Sequence, residues 1–247
     1  MIITLTMLLL GILLGFVGAG GSGFIIALLT VAFGVPIHTA LGTSLAAMVF
    51  TTLSGAYSHY REGNIDVKTG LAAGVFGAVT AYLGSGIAAW IPVHILHWLT
   101  AGMLFLSAIM LLVRLFFVNK IGGNRKLSIQ VGFFVRSALV GSVCGILSGT
   151  FGIGSTPFIQ IGLLAILGLS VQKSVGTTML VILPIALAGG IGYYFEGYLD
   201  VLLLLQVLAG TMVGSYIGAK FTNYVPLPVL KSAMVLTPLI AAVILMF

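Results

Sequence analysis

Charge is scarce in this chain of 247 residues. Only 6% of the residues are charged, ten basic and four acidic, whereas 60% are hydrophobic. In a soluble domain, roughly a quarter of the residues are charged and cover the surface. This chain cannot form such a surface, so its composition excludes a soluble globular protein and predicts one whose solvent is lipid.

Cysteine is nearly absent, and the first sixty residues carry no charge. Cys144 is the single cysteine, which excludes an internal disulfide and a metal site built on cysteines. The first charged residue is Arg61, so the N-terminus lacks the basic patch of a secretory signal and is interpreted as a retained membrane segment. The basic residues are scattered at segment ends, which does not indicate a nucleic-acid partner.

Apolar segments occupy almost the whole length, with a mean hydropathy of +1.26. A membrane helix needs about 20 apolar residues, so the chain has room for roughly eight to ten segments. The first two segments of the second half are only about a dozen residues long, about 18 Å as helices. That length is too short to span, so each such pair is interpreted as a re-entrant hairpin, with two full spans as the alternative. The ten predicted segments cover residues 2–17, 24–35, 39–58, 68–91, 95–117, 136–148, 157–168, 172–194, 199–219 and 228–247.

A glycine-rich motif occurs twice, at residues 15–25 and 149–159, which are 134 residues apart. A paired Glu-Gly-x-x-Asp turn at the same offset is informative, because the chain has only four acidic residues. The duplication predicts a first membrane repeat over 1–118, a cytoplasmic linker over 119–135 and a second repeat over 136–247. The offset also pairs Gly34 with Gly168, Gly42-Thr43 with Gly176-Thr177, Gly84 with Gly218 and Pro92 with Pro226.

The positions of the basic residues predict that the second repeat is inverted. If each repeat crosses the membrane an odd number of times and the N-terminus is outside, every lysine and arginine lies on the cytoplasmic side. A parallel arrangement would place Lys173, Lys220 and Lys231 outside. We therefore expect an all-α, multi-pass protein of the cell membrane, built from two inverted repeats with glycine-broken or re-entrant half-helices.

The two glycine breaks form the candidate binding site. A half-helix that begins within the membrane presents free N–H groups and the positive end of its dipole, both of which favour anions. Broken helices at matched positions of inverted repeats are typical of transporter sites. The alternative is that these glycines only allow close helix packing. The predicted substrate-binding residues are Gly18, Gly20, Gly21, Ser22, Gly23, Thr43, Gly152, Gly154, Ser155, Thr156 and Thr177.

Two groups of polar residues have alternative roles. The hydroxyls of Thr43 and Thr177 bind either a ligand or their own helix backbone. The acidic residues occupy predicted turns at the membrane edge, where they are interpreted as helix caps. For Glu62 and Glu196 the alternative is a proton relay, although a relay carboxylate is expected deeper in the membrane. The four acidic residues are Glu62, Asp66, Glu196 and Asp200.

The paired Gly-x-x-Gly-x-Gly motif, the Gly-Thr-Ser/Thr that follows and the Glu-Gly-x-[Ile/Leu]-Asp turn resemble the TauE/SafE sulfite exporter family, also called the 4-toluene sulfonate uptake permease family. The resemblance covers nearly the whole chain. It implies a carrier for small sulfur oxyanions such as sulfite, thiosulfate or organosulfonates, in the direction of export or of uptake and coupled to protons. Ser22, Ser155 and Thr156 depart from the family's glycine-rich pattern.

Two rival functions remain beside the carrier. Gly20-Gly21-Ser22-Gly23 fits the Gly-x-Ser-Gly pattern of rhomboid-type intramembrane serine hydrolases, which need a histidine beside the serine. A passive anion channel is the other alternative. The carrier interpretation implies no enzyme activity, no cofactor and no metal, with a small anion and the lipid bilayer as partners.

Overall fold

The chain forms a bundle of helices. The computed structural model describes residues 2–17, 22–117, 130–222 and 227–246, and no strand occurs among them. A π-helical turn, Leu28–Ala32, continues the second helix. The α-helices are α1 (Ile2–Val17), α2 (Ser22–Ala27), α3 (Ile37–Arg61), α4 (Val67–Trp90), α5 (Val93–Phe117), α6 (Gln130–Phe151), α7 (Thr156–Ala165), α8 (Val171–Phe195), α9 (Val201–Thr222) and α10 (Leu227–Met246).

Five of the described helices are long and apolar enough to cross a membrane. Their outward surfaces are apolar too: Leu71, Val75 and Val79, at four-residue spacing on α4, are all exposed. A helix that is apolar on its outer face as well as inside requires lipid around it. The prediction of an all-α, multi-pass membrane protein is thereby confirmed. The five stretches are Ile37–Arg61, Val67–Trp90, Val93–Val113, Gly132–Phe151 and Gln172–Phe195.

Glycines set the closest helix contacts. On α6, Gly141, Gly145 and Gly149 follow one another at four-residue intervals and therefore share one face. A Cβ atom at any of the three would clash with a backbone carbonyl oxygen of α4. Small residues at this spacing let two membrane helices approach until their backbones touch. The α4 carbonyls concerned belong to Ala73, Gly77 and Ala81.

The contacts between helices reveal their directions. Gly42 at the start of α3 lies against Tyr193 near the end of α8, and Gly55 near the end of α3 lies against Met179 near the start of α8. The two helices therefore run antiparallel. As a consequence, the turn after α3, which contains Glu62, lies at the opposite end of the bundle from the turn after α8.

The two turns have the same pattern of backbone hydrogen bonds. Gly63 N–H donates to Tyr60 O over 3.1 Å, and Gly197 N–H donates to Tyr194 O over the same distance. Both glycines adopt the left-handed backbone region, with φ of 70° and 78°. This geometry ends a helix by satisfying its last carbonyls, and it favours glycine.

The acidic residues cap helices at these turns. Asp66 Oδ1 accepts a hydrogen bond of 3.1 Å from the N–H of Thr69, and Asp200 Oδ1 accepts one of 3.0 Å from the N–H of Leu203. The backbone N–H groups of Glu62 and Glu196 close the ends of α3 and α8. The prediction that these residues form capped turns is confirmed.

The length of α6 corrects one sequence prediction. The segment expected over 136–148 was interpreted as too short to span, yet α6 runs from Gln130 to Phe151 and contains a membrane-length apolar stretch. The predicted segment ended before Gly149, but this glycine packs against α4 inside a continuous helix. The short element of the second half is α7 alone, with 10 residues.

The short helix α7 reverses the chain between two parallel helices. Gly77, near the middle of α4, lies close to Gly145 of α6 and to Ile185 of α8. Further along α4, Gly84 lies close to Gly149, which is further along α6. Further along α8, a Cβ atom on Gly189 would lie 3.8 Å from that of Ala81. Contacts that advance together along α4, α6 and α8 mean that the three helices are parallel. The segment between α6 and α8, which includes α7, must therefore run back through the bundle.

Candidate functional site

The second glycine break lies between the end of α6 and the start of α7. Gly152, Gly154 and Ser155 all adopt the left-handed backbone region, with φ of 65°, 64° and 46°. Glycine occupies this region without penalty, whereas a residue with a side chain pays about 1–2 kcal/mol. Three such residues within four positions turn the chain sharply, and strain of the kind seen at Ser155 is concentrated at ligand sites.

Helix α3 packs along this break and holds it. The hydroxyl of Ser44 lies within hydrogen-bonding distance of two backbone oxygens, that of Gly152 at 3.2 Å and that of Leu41 in its own helix at 3.1 Å. A Cβ atom on Gly152 would lie 2.9 Å from a methyl carbon of Leu41, and one on Gly154 would clash with the side chain of Met48. Ser44 is the eighth residue of α3, so the break lies roughly 10 Å along that helix. The break is therefore inside the bundle.

The second break meets the start of α2. A methyl group placed on Gly154 would lie 3.8 Å from Oγ of Ser22, the first residue of α2. Ser22 is 1% exposed, and Gly23 packs so closely on Leu104 of α5 that a Cβ atom there would clash. The residues that begin the short helix of one half thus lie against the break of the other half. Gly18, Gly20 and Gly21 of the predicted site lie outside the described residues.

Four of the predicted hydroxyls are buried without a protein partner. No hydrogen bond joins any of them to another residue in the described part of the chain. A buried hydroxyl left unpaired costs about 1–3 kcal/mol. Other buried hydroxyl oxygens of the bundle, on Thr30, Thr100, Ser137 and Ser148, are also unpartnered within the described residues, so this property alone does not mark a site. The four predicted hydroxyls are free to donate to a ligand. They belong to Ser22, Thr43, Ser155 and Thr156, which are 1%, 0%, 0% and 8% exposed.

The start of α7 adds backbone donors to these hydroxyls. Ser155 occupies the N-cap position, but its side chain makes no capping hydrogen bond. A proline stands in the first turn, where its missing N–H costs nothing. The first N–H groups of a helix and the positive end of its dipole together favour an anion. The break therefore combines neutral donors with a favourable electrostatic potential for a negative ligand.

Thr177 lies elsewhere. Its hydroxyl oxygen accepts a hydrogen bond of 2.9 Å from the backbone N–H of Asp66, in the turn between α3 and α4. The preceding residue, Gly176, lies against the backbone oxygen of Asn64 in the same turn. Thr177 thus joins the two halves of the chain at the end of the bundle where α8 begins, and its acceptor capacity there is used by the protein itself.

Two residues of this region were missed from the sequence. Ser44 was seen only as part of a Gly-Thr-Ser pattern, although it supplies the hydrogen bond to Gly152. Gln160, one turn into α7, is 4% exposed, and its Oε1 has no hydrogen-bond partner among the described residues. A single polar side chain within the apolar run 158–164 is a signal that could have found it.

A separate cavity opens at one end of the bundle. Its volume is about 450 Å³, and it lies between the loop that precedes α3 and the turn that precedes α9. Asp200 is its one ionisable lining residue, and that carboxylate already caps α9. The cavity is thus a second polar region, at the end of the bundle where α3 begins. Its lining residues are Phe33, Gly34, Val35, Pro36, Thr39, Gly197, Leu199, Asp200 and Leu203.

The histidines do not support a serine hydrolase. Nε2 of His38 is 3.0 Å from the backbone oxygen of Ala88, and its ring stacks on Tyr198. Nδ1 of His59 lies 3.6 Å from the carboxylate of Glu62 at the surface turn. Within the described residues, neither imidazole hydrogen-bonds to Ser22 as a general base must.

Membrane helices around a buried helix break are typical of membrane transport proteins. Comparison with known proteins agrees, because the model of the family described as "Sulfite exporter TauE/SafE" matches residues 3–245. The chain belongs to the TauE/SafE family of membrane transporters.

Curated relatives carry the same general description. The chain is 59% identical over 247 residues to the probable membrane transporter protein YdhB of Bacillus subtilis, with both chains covered completely. It is 29% identical over 240 residues to YjnA of the same organism, covering 93% of this chain and 94% of that one. It is 25% identical over 231 residues to MJ0441 of Methanocaldococcus jannaschii, with 87% and 83% covered. No solved structure matches the chain significantly.

Proposed function

We propose that this protein is a secondary carrier that moves a small sulfur oxyanion, such as sulfite, thiosulfate or an organosulfonate, across the cell membrane. The observation that carries the proposal is the set of buried, unpartnered hydroxyls at the glycine break where α7 begins. Oxyanion oxygens accept hydrogen bonds from hydroxyl and backbone N–H groups, and these are the groups that the break offers.

The substrate class is taken from the family. Its description names sulfite, and a sulfite-sized anion needs several short hydrogen bonds to replace its hydration shell. The predicted residues that supply them are Ser22, Thr43 and Thr156, with the backbone N–H groups at Gly154 and Ser155. Gly18, Gly20, Gly21 and Gly23 complete the proposed site on the side of α2.

The negative charge of the substrate is met without a basic side chain. The described residues of both breaks, 22–23 and 152–156, include no lysine or arginine. A helix N-terminus carries about half a positive charge, which offsets part of the anion's charge. A co-transported proton would neutralise the rest of the anion's charge. We therefore propose the proton as the coupling ion.

Alternating access follows from an inverted repeat, with the repeats over 1–118 and 136–247 and the linker over 119–135. The antiparallel α3 and α8 support this arrangement, since they occupy equivalent positions in the two halves. The equivalent capped turns at Gly63 and Gly197 support it too. One repeat would rock against the other about the shared site and expose it to each side in turn.

The proposal is tested by uptake of ³⁵S-labelled sulfite, thiosulfate and sulfoacetate into proteoliposomes, with and without an imposed proton gradient. A carrier predicts flux that saturates with substrate, is competed by the other anions and rises with the gradient. A passive channel predicts flux that neither saturates at low concentration nor responds to the proton gradient beyond its electrical effect. Empty liposomes and a Gly154→Val variant are the controls.

Absence of saturable flux for all three anions would contradict the proposed substrate class. Cleavage of a membrane-embedded peptide that is lost in Ser22→Ala would instead support the serine hydrolase. The carrier predicts no such cleavage by the wild-type protein.

A further inference from the structure

The two short helices, α2 and α7, differ in chemistry at the position of Gln160. The residue at the equivalent position of α2, 134 positions earlier, is Ile26. Both residues are buried, at 4% and 0% exposure. The preceding helical turn carries a hydroxyl in both cases, on Thr156 and on Ser22. One turn further in, α2 is apolar where α7 carries an amide.

The amide of Gln160 makes no hydrogen bond within the described part of the chain. Its Oε1 acceptor has no partner there and its Nε2 donor makes no hydrogen bond there either, although the side chain is almost completely buried. Polar side chains within membrane segments are costly and mark substrate pathways. An isoleucine would fill the position without that cost, as it does at the equivalent position of α2.

The position of Gln160 directs this amide toward the break. Residues four apart on a helix lie on the same face, so Gln160 shares a face with Thr156 at the start of α7. Helical side chains lean toward the N-terminus of their helix. The long side chain of Gln160 therefore extends over the turn that contains Thr156, whose own hydroxyl is buried and unpartnered.

We propose that Gln160 contacts the transported oxyanion and determines substrate preference, by donating its amide N–H to an S–O oxygen on the side of α7. This inference rests on the proposed function and deepens it, since it makes the site polar on the α7 side and apolar at the equivalent position of α2. A neutral donor adds a directed hydrogen bond without holding the anion so tightly that release is blocked.

The test replaces Gln160 by Met, which keeps the length of the side chain without its amide, and by Ile, the residue of the equivalent position. Gln206→Met is the matched control, because Gln206 is a partly buried glutamine of α9. Uptake of labelled sulfite and thiosulfate gives Km for each anion. Thermal unfolding of the purified protein in detergent gives the melting temperature of each variant.

Loss of a hydrogen bond to a charged ligand predicts a rise in Km of about 10-fold or more in Gln160→Met. The ratio of the two Km values should change as well. The melting temperature should stay or rise, because an unpaired buried amide is removed. Gln206→Met should leave both Km values within about 2-fold of the wild type, because replacing a partly exposed side chain usually has a small effect on the protein.

Unchanged Km values in both Gln160 variants would overturn the inference while leaving the carrier in place. So would a lowered melting temperature with an unchanged Km ratio, since that indicates a purely structural amide. A wild-type protein that moves none of the anions would remove the proposed function itself, which is a different and distinguishable outcome.

Discussion

At the residue scale, the hydroxyls around the second break are of two kinds. Ser44 donates to the backbone of Gly152 and so stabilises the break. Ser22 and Thr156 have no protein partner within the described residues, although both are buried. A hydroxyl that hydrogen-bonds to the protein contributes to the stability of the fold, whereas we expect one without a protein partner to contribute to substrate binding. The two kinds are separable by substitution.

Removing one hydroxyl of each kind should lower the stability of one variant and weaken substrate binding in the other. Ser44→Ala should lower the free energy of unfolding by about 1 kcal/mol, because the oxygen of Gly152 loses a donor that it shares with the oxygen of Leu41. Ser22→Ala should change stability by less than about 0.5 kcal/mol but raise Km by about 10-fold. Denaturant unfolding and labelled uptake, made on the same two preparations, check both. An unstable Ser22→Ala with wild-type Km would contradict this division.

The backbone of Gly154 leads to a second prediction. Gly154→Ala should abolish most transport, because the new methyl group meets Met48 and the residue is held at a φ of 64°. Gly197→Ala is the control, since Gly197 has a φ of 78° but nothing within 4 Å of a Cβ atom. It pays the same backbone cost of about 1–2 kcal/mol without the clash.

Shortening Met48 should partly rescue the variant. In the Met48→Ala, Gly154→Ala double variant the methyl group has room, so uptake should exceed that of Gly154→Ala alone. Equal loss of uptake in Gly154→Ala and Gly197→Ala would show that close packing at the break has no part in transport.

At the element scale, the sequence located most helices but not all of their lengths. The bounds of α1 match the predicted segment, because the glycine motif marks its end. The α6 prediction was too short at both ends. It began at 136, after the predicted linker, and ended before Gly149, which packs on α4 inside the helix, because glycine alone does not distinguish a helix contact from a helix break. Which of the two occurs depends on a neighbouring helix that local sequence does not specify.

The packing of α6 on α4 predicts a strong effect of adding one methyl group. Gly145→Ala should lower the free energy of unfolding by about 1–3 kcal/mol, because the methyl group clashes with the backbone of Gly77. Gly132→Ala, on the same helix with nothing within 4 Å, should raise it by up to about 1 kcal/mol through helix propensity. Equal effects of both substitutions on unfolding in detergent would contradict this packing.

At the scale of the whole molecule, the charge pattern predicted orientation and the contacts supply helix directions. Because α3 and α8 are antiparallel, Glu62 and Glu196 stand at opposite ends of the bundle, and both are exposed. The site was only partly predictable. Paired motifs indicated Ser22 and Thr156, but the same pairing suggested Thr177, whose oxygen accepts from Asp66. Residues that the sequence repeat pairs therefore need not have the same role in the structure.

Accessibility of cysteines in cells tests the orientation. In a Cys144→Ala background, Glu196→Cys should react with a membrane-impermeant maleimide added outside, whereas Glu62→Cys should react only after the cells are opened. The basic residues near the α3–α4 turn predict that this turn lies in the cytoplasm. Labelling of both cysteines from the same side would contradict the inverted arrangement.

The position of a bound anion tests the central claim most directly. Selenite has the shape and charge of sulfite, and its selenium atom is located by anomalous diffraction from crystals of the protein grown with it. We expect a selenium peak at the start of α7, within hydrogen-bonding reach of Ser22, Thr156 and Gln160. A peak in the cavity beside Asp200, or anywhere away from the break, would contradict it.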